Sequence, residues 1–168
     1  GGGNSADFTA PTWQQVPAAQ TPLTSYACGG GGRQCRTVPD VAASADPAHG
    51  DAVFLNGSWL EVGGTSVASP LWAALLATVG QGCATPAGLL GPSLYGPGAT
   101  GALNDITVGD NDLFPSVPVT YPATVGYDLA TGWGSPRAGS LLALLTGSAE
   151  GCPAVTGLSP TAGPAVGG

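Results

Sequence analysis

Apolar and polar positions are most regular over residues 52–62, where "AVFLNGSWLEV" sets two apolar-rich stretches on either side of Asn56-Gly57. That dipeptide accepts positive φ at both central positions of a type I′ turn, so the pattern predicts a β-hairpin. The second strand runs straight into Gly63-Gly64, and "GGTSVASP" (63–70) then leads into "LWAALLATVG" (71–80). Ser69 as N-cap and Pro70 as first helical residue predict a helix that ends at Gly80 or Gly82. Residues 71–77 offer no polar face, which predicts burial on every side.

A second helix is predicted from Ser135-Pro136 through "AGSLLALL" to Gly147. Between the two, "GLLGPSLYG" predicts a helical turn and "ALNDITVGDND" a strand end followed by an acidic loop. Upstream, "VPDVAA" predicts a short buried strand or its exit, ahead of a turn at Asp46-Pro47. Residues 1–27 are polar and Pro-rich, and Pro17 breaks their one amphipathic stretch, so they read as a surface excursion. The stretch "CPAVTGLSPTAGPAVGG" at the other end reads as a linker entering a β domain.

Composition narrows the class. The 168 residues suit one domain with a sizeable core, and 43% hydrophobic residues are too many for a disordered chain. A net charge of −7 with only three basic residues excludes nucleic acid and anionic membrane as partners. No apolar run approaches the ~20 residues that span a bilayer. The opening "GGGNSADF" has no signal-peptide features, so any secretion signal is expected upstream of these residues. Of the four cysteines, Cys28 and Cys35 flank the loop "GGGGRQ", and Cys83 and Cys152 each follow a predicted helix. Zinc is disfavoured, because the spacings match no common zinc motif and His49 is the only histidine; two disulfides, and hence an oxidising compartment, are favoured over free thiols.

Ser66 is the first candidate for chemistry. A hydroxyl at a strand-to-helix junction lies beside unpaired backbone N–H groups and the positive end of the helix dipole, which favour an oxyanion in acyl transfer. A glycine-rich turn with Ser/Thr caps explains the same residues without catalysis. His49 in "DPAHGD" reads as an exposed loop residue rather than a base, and Glu61 as structural. The acidic region 105–128 is the second candidate, since calcium takes carboxylates and backbone carbonyls together. An EF-hand reading of "DND" fails: counted from Asp110, position six is Pro115 and position twelve is Tyr121. A solvated acidic loop is the competing reading.

The blocks "VPDVAASADPAHG", "GGTSVASPLWAALLA", "LNDITVGDN" and "GYDLATGWGSP" occur in the order and spacing of the sedolisins, the serine-carboxyl peptidases, which residues 1–147 thus resemble. The resemblance implies that Ser66 is the catalytic nucleophile. It also implies one structural calcium ion held by Asp105, the carbonyls of Ile106, Thr124 and Gly126, and Asp128. Thr124 stands where the family often has Gly, and only its carbonyl would bind; Asp110 and Asp112 match no ligand. Sedolisins pair the serine with a Glu and an Asp on an upstream helix and add an upstream oxyanion Asp, all ahead of the "GGG" block. Residues 148–168 resemble a linker and the first strand of an IPT/TIG-like domain.

The expected fold is therefore α/β, the C-terminal part of a subtilisin-like three-layer fold with a mostly parallel sheet. The expected function is that of a secreted, monomeric, acid-acting serine endopeptidase cleaving protein or peptide substrates, with these residues alone inactive. A subtilisin-type peptidase with upstream His and Asp, or a non-catalytic adhesion module on a vestigial peptidase fold, are the alternatives.

Overall fold

A computed structural model describes residues 2–14, 16, 28, 34–80, 88–97, 99–112, 114 and 121–146. Cys83, Cys152 and residues 148–168, and with them the expected second disulfide and the IPT/TIG-like strand, lie outside the described residues.

The hairpin forms where the alternation predicts it. Strands β3 (Asp51–Leu55) and β4 (Ser58–Val62) pair antiparallel, with Leu55 opposite Ser58 and Asp51 opposite Val62. Asn56 and Gly57 take φ of 51° and 81°, the positive values that a type I′ turn requires. The Asp46-Pro47 turn is also present: Asp46 caps a 3-10 turn over Pro47–His49 by accepting the Ala48 N–H.

Residues 3–9 depart from expectation. They form strand β1 (Gly3–Thr9), which pairs antiparallel with β2 (Cys35–Val38) instead of wandering over the surface. The segment's polarity misleads, because its contribution is the backbone ladder that β2 needs. The chain beyond it dives inward, burying Gln14 and Val16. Cys28 is bonded to Cys35 at the start of β2, with Cα atoms 5.3 Å apart.

Helix α1 (Thr65–Gly80) begins a full turn before the expected cap at Ser69. The Gly64 carbonyl accepts from Val67 N–H at 2.9 Å and Ala68 N–H at 3.3 Å, so the helix nucleates there. Pro70 sits inside the helix at the cost of one bond, the N–H it cannot give to the Ser66 carbonyl. Burial is also one-sided: Ala68, Trp72 and Val79 face the core, while Leu71 is 45% exposed. The helix nonetheless carries no charged residue.

The second long helix, α3 (Ala138–Thr146), starts three residues later than Ser135. Ser135 and Pro136 instead form β6 (Ser135–Pro136) against β5 (Leu103–Asn104), and Arg137 N–H continues to the Ala102 carbonyl. A short helix, α2 (Gly91–Leu94), occupies the predicted helical turn. Trp72 of α1, Leu94, Leu103 and Leu141 of α3 close one core cluster, and Val16, Tyr127 and Leu129 a second.

The result is a partial α/β domain. Among the described residues three sheets form, each two-stranded and antiparallel, so the expected parallel sheet has no pairing there. The hairpin connection of two residues permits only an antiparallel pair, and a parallel one needs a crossover of a dozen residues or more. Among the described residues no helix is long and apolar enough to cross a membrane.

Candidate active site

Strand β4 delivers the chain to Gly63, which passes directly over the Asp46-Pro47 turn. A Cβ at residue 63 would stand 2.4 Å from Pro47 Cα, so only glycine fits. Gly64 follows at φ 105° and donates its N–H to the Ala45 carbonyl at 2.6 Å. These two glycines turn the chain from strand to helix within two residues. Ser66 thereby becomes the second residue of α1, with an exposed side chain. Among the described residues, the Thr65 and Ser66 N–H groups have no acceptor. An exposed hydroxyl thus stands beside free backbone donors at a helix N-terminus, where negative charge is stabilised.

His49 and Glu61 are both engaged elsewhere. His49 is exposed and bonded through Nδ1 to Asp46 at 2.7 Å. That bond first, and the Ala48 N–H second, hold the Asp46 carboxyl below its ordinary pKa. Glu61 is exposed as well, and its carboxylate accepts the Gly50 N–H at 2.9 Å, a local brace at the open end of the hairpin.

The acidic region folds around two carboxylates. Asp128, only 3% exposed, accepts the Thr124 N–H on Oδ2 at 2.8 Å. Its Oδ1 accepts the Ala130 and Thr131 N–H groups and the Thr131 hydroxyl. Asp105 arrives from the end of β5, and its Oδ2 accepts the Gly126 N–H at 2.9 Å. Both carboxylates therefore grip the same five-residue loop, at residues 124 and 126. Among the described residues, no N–H or O–H is directed at the carbonyls of Ile106, Thr124 or Gly126. The donor set is all oxygen, two carboxylates with three unclaimed carbonyls, which suits calcium. No group of three or more His, Cys, Asp or Glu side chains gathers among the described residues, so most ligands would be backbone. Asp110 and Asp112 brace their own loop, accepting the Asp112 and Tyr121 N–H groups respectively. Beside the loop lies an open cavity of about 250 Å³ with Leu103, Asp105, Val125 and Trp133 in its walls.

Sequence reasoning missed what links the two regions. Residues 40–45 run between them: Asp40 accepts the Trp133 N–H, Ala42 donates to the Gly134 carbonyl, and Ala45 accepts from Gly64. Asp40 also anchors a buried polar network, taking the Tyr95 hydroxyl at 2.7 Å and pairing with Arg36. Gln14, fully buried, donates to the Thr37 carbonyl and to Tyr95 Oη, each at 2.8 Å, and Tyr127 donates to Thr37 Oγ1. Burial foremost pushes the Tyr95 phenol far above its ordinary range, and raises Tyr127 as well. The one available signal was an aspartate inside the apolar run "VPDVAA".

No protein-family model matches the chain. In sequence it is similar to kumamolisin of Bacillus sp. (strain MN-32), 42% identical over 150 residues, covering 89% of this chain and 26% of the relative. It is similar to sedolisin of Pseudomonas sp. (strain 101), 31% identical over 137 residues, covering 80% of this chain and 21% of the relative. Tripeptidyl-peptidase 1 of Mus musculus is 31% identical over 159 residues, covering 86% of this chain and 27% of the relative. In structure it is similar to Pseudomonas sedolisin, a serine-carboxyl proteinase solved with two molecules of pseudo-iodotyrostatin. The TM-score is 0.63 at 28% identity, covering 89% of this chain and 37% of that one. The chain spans about a quarter of the length of these curated relatives.

Proposed function

This chain belongs to the sedolisin family, and from that premise we propose that it carries the nucleophile half of a serine peptidase active site. Ser66 Oγ attacks the scissile carbonyl as its proton passes to the base; the C–N bond breaks, the amine half leaves with that proton, and water hydrolyses the acyl-enzyme that remains. The oxyanion of the tetrahedral intermediate is received by the Ser66 N–H at the start of α1. The observation that carries this reading is the exposed Ser66 hydroxyl at the second position of α1, beside N–H groups without acceptors.

The base is a carboxylate outside these 168 residues, as in the serine-carboxyl pairing that the family resemblance implies. A carboxylate accepts the serine proton only where it is ionised yet close to sharing a proton, which sets the enzyme to work in acid. Substrates are proteins or peptides, acting outside the cell, and these residues alone are inactive. Calcium would be held by Asp105, Asp128 and the carbonyls of Ile106, Thr124 and Gly126, and would supply positive charge that fixes the loop.

An active-site-directed fluorophosphonate or peptide aldehyde, applied to the full-length protein at acid pH, tests the reading. Labelling that disappears in Ser66→Ala is expected; equal labelling of the variant overturns it.

A further inference from the structure

Three contacts fix how the chain arrives at Ser66, and residues 40–47 supply the partner in each. Gly63 lies against the backbone of Pro47, so close that a Cβ there would stand 2.4 Å from Pro47 Cα. Gly64 gives its N–H to the Ala45 carbonyl at 2.6 Å, and its own carbonyl receives the Val67 and Ala68 N–H groups that open α1. Trp72, less than two turns beyond Ser66, gives its indole N–H to the Ala42 carbonyl at 3.0 Å. The orientation of the first turn of α1, and with it the Ser66 N–H, therefore follows the path of residues 42–47.

That path is set where the segment begins. Residues 41–45 are Val, Ala, Ala, Ser and Ala, so Asp40 brings the one charged side chain ahead of Asp46. Val41 and Ala43 pack against the core cluster of Trp72 and Leu141, but apolar contact carries no direction. Both Asp40 carboxylate oxygens are taken: Oδ1 accepts the Tyr95 hydroxyl at 2.7 Å, and Oδ2 accepts from Arg36 Nη2. The donors come from separate elements, Arg36 from β2 and Tyr95 from the C-terminal cap of α2, and Gln14 donates in turn to Tyr95 Oη at 2.8 Å. The backbone is held at the same place. The Asp40 carbonyl accepts the Trp133 N–H at 2.9 Å, and Gly132 packs on it so closely that a Cβ would stand 2.3 Å away. An ion pair with side chains only 23% and 30% exposed gains little stability, because desolvation offsets much of the attraction. Directed hydrogen bonds from two elements, by contrast, leave the carboxylate one orientation.

We infer that Asp40 is a positioning residue for the reaction at Ser66. Its carboxylate, aimed by Arg36 and Tyr95, fixes the backbone track from which the Gly63–Gly64 turn and α1 are hung. The inference rests on the proposed peptidase function and deepens it. An oxyanion donor works only when aimed at the place where charge develops, and a misplacement of about 1 Å costs on the order of 100-fold in rate. With both oxygens occupied, Asp40 acts through the backbone, so its effect falls on kcat and not on KM.

The test is cleavage of a peptide substrate by the full-length protein, with kcat counted per site titrated by the fluorophosphonate at Ser66. Asp40→Asn keeps the shape of the side chain but turns an amide NH2 toward one of the two donors. It is expected to lower kcat about 10- to 100-fold with KM within about twofold of wild type. Tyr95→Phe, which removes one donor alone, is expected to lower kcat about threefold at unchanged KM, and carries the test if Asp40→Asn fails to fold. Val79→Ala empties a buried position near the far end of α1; it is expected to lower the melting temperature and leave kcat per titrated site unchanged. Unchanged kcat in Asp40→Asn and Tyr95→Phe beside a lower melting temperature assigns Asp40 to stability alone. A raised KM at unchanged kcat assigns it to substrate binding; either result overturns the inference. A wild-type protein that is neither labelled at Ser66 nor able to cleave any peptide overturns the peptidase reading itself.

Discussion

The indole N–H of Trp72 donates to the Ala42 carbonyl at 3.0 Å, pinning the helix that bears Ser66 to the segment that also bonds Trp133 and Gly134. Trp72→Phe keeps an aromatic ring in the core but leaves that carbonyl without its donor. A loss of about 1–3 kcal/mol is expected. In a chain of this size that lowers the melting temperature by about 2–4 °C per kcal/mol. Trp72→Ala, which empties the core cluster, is expected to cost about 3–5 kcal/mol. Thermal melts of the two variants check the order; equal stability of Trp72→Phe and wild type would remove the hydrogen bond from the account.

Gly63 and Gly57 make a paired test of the strand-to-helix turn. Alanine at 63 collides with the Pro47 backbone, whereas at 57 it meets open space and strains only the positive φ of 81°. Gly57→Ala is expected to cost about 1–2 kcal/mol, confined to the hairpin tip. Gly63→Ala displaces the turn itself and is expected to lower the rate of Ser66 labelling more than tenfold, while Gly57→Ala leaves that rate within twofold. Probe kinetics on both variants decide.

Removal of the Asp128 carboxylate strips the loop of four hydrogen bonds at once. Bonds to an ionised acceptor contribute about 1.5–3 kcal/mol each, though their losses do not add. Asp128→Ala is expected to melt at least 10 °C lower and to lose any response to calcium. Wild type is expected to melt higher with calcium than with a chelator. Identical wild-type melts in the two conditions would refute the calcium proposal, whereas the loss of stability in Asp128→Ala tests the protein bonds alone.

Alkaline pH probes the network around Asp40. Because burial raises the Tyr95 and Tyr127 phenols in the folded state, unfolding releases protons above the ordinary tyrosine pKa of about 10. Their contribution is fully present below that pH and is lost as pH rises beyond it. Melting temperature is expected to be flat from pH 8 to 9.5 and to fall steeply above pH 10, with phenolate absorbance appearing together with unfolding. In Tyr95→Phe the fall is shallower. Phenolate formation in a protein that stays folded would contradict the burial.

Local patterns were legible in the sequence where local physics decides. Asn56-Gly57 fixed the hairpin, Asp46-Pro47 the turn and "GLLGPSLYG" the helical turn, because each needs only neighbouring residues. Strand β1 was hidden because its partner lies about thirty residues away and its own residues are mostly polar. The start of α1 was misplaced because Ser69-Pro70 satisfies every local criterion for a helix start, yet the Gly64 carbonyl opens the helix earlier. That shift moves Ser66 from the turn before the helix into its first turn. Asp105 and Asp128 were legible as acids on one loop, but the grip of each on residues 126 and 124 depends on how β5 meets that loop. The Asp40 network joins residues 14, 36, 95 and 127, a set that no window along the chain contains.

The uncharged helix α1, with Leu71 facing outward, has a colloidal consequence. Ten acidic and three basic residues keep the chain at −7 near neutrality, a like charge that opposes association through that apolar surface. As pH falls toward the isoelectric point near 4.1, the net charge and with it the repulsion vanish. The solubility of these residues is then expected to be lowest near that pH, in the acid range where a carboxylate-based peptidase would work, and highest toward neutrality.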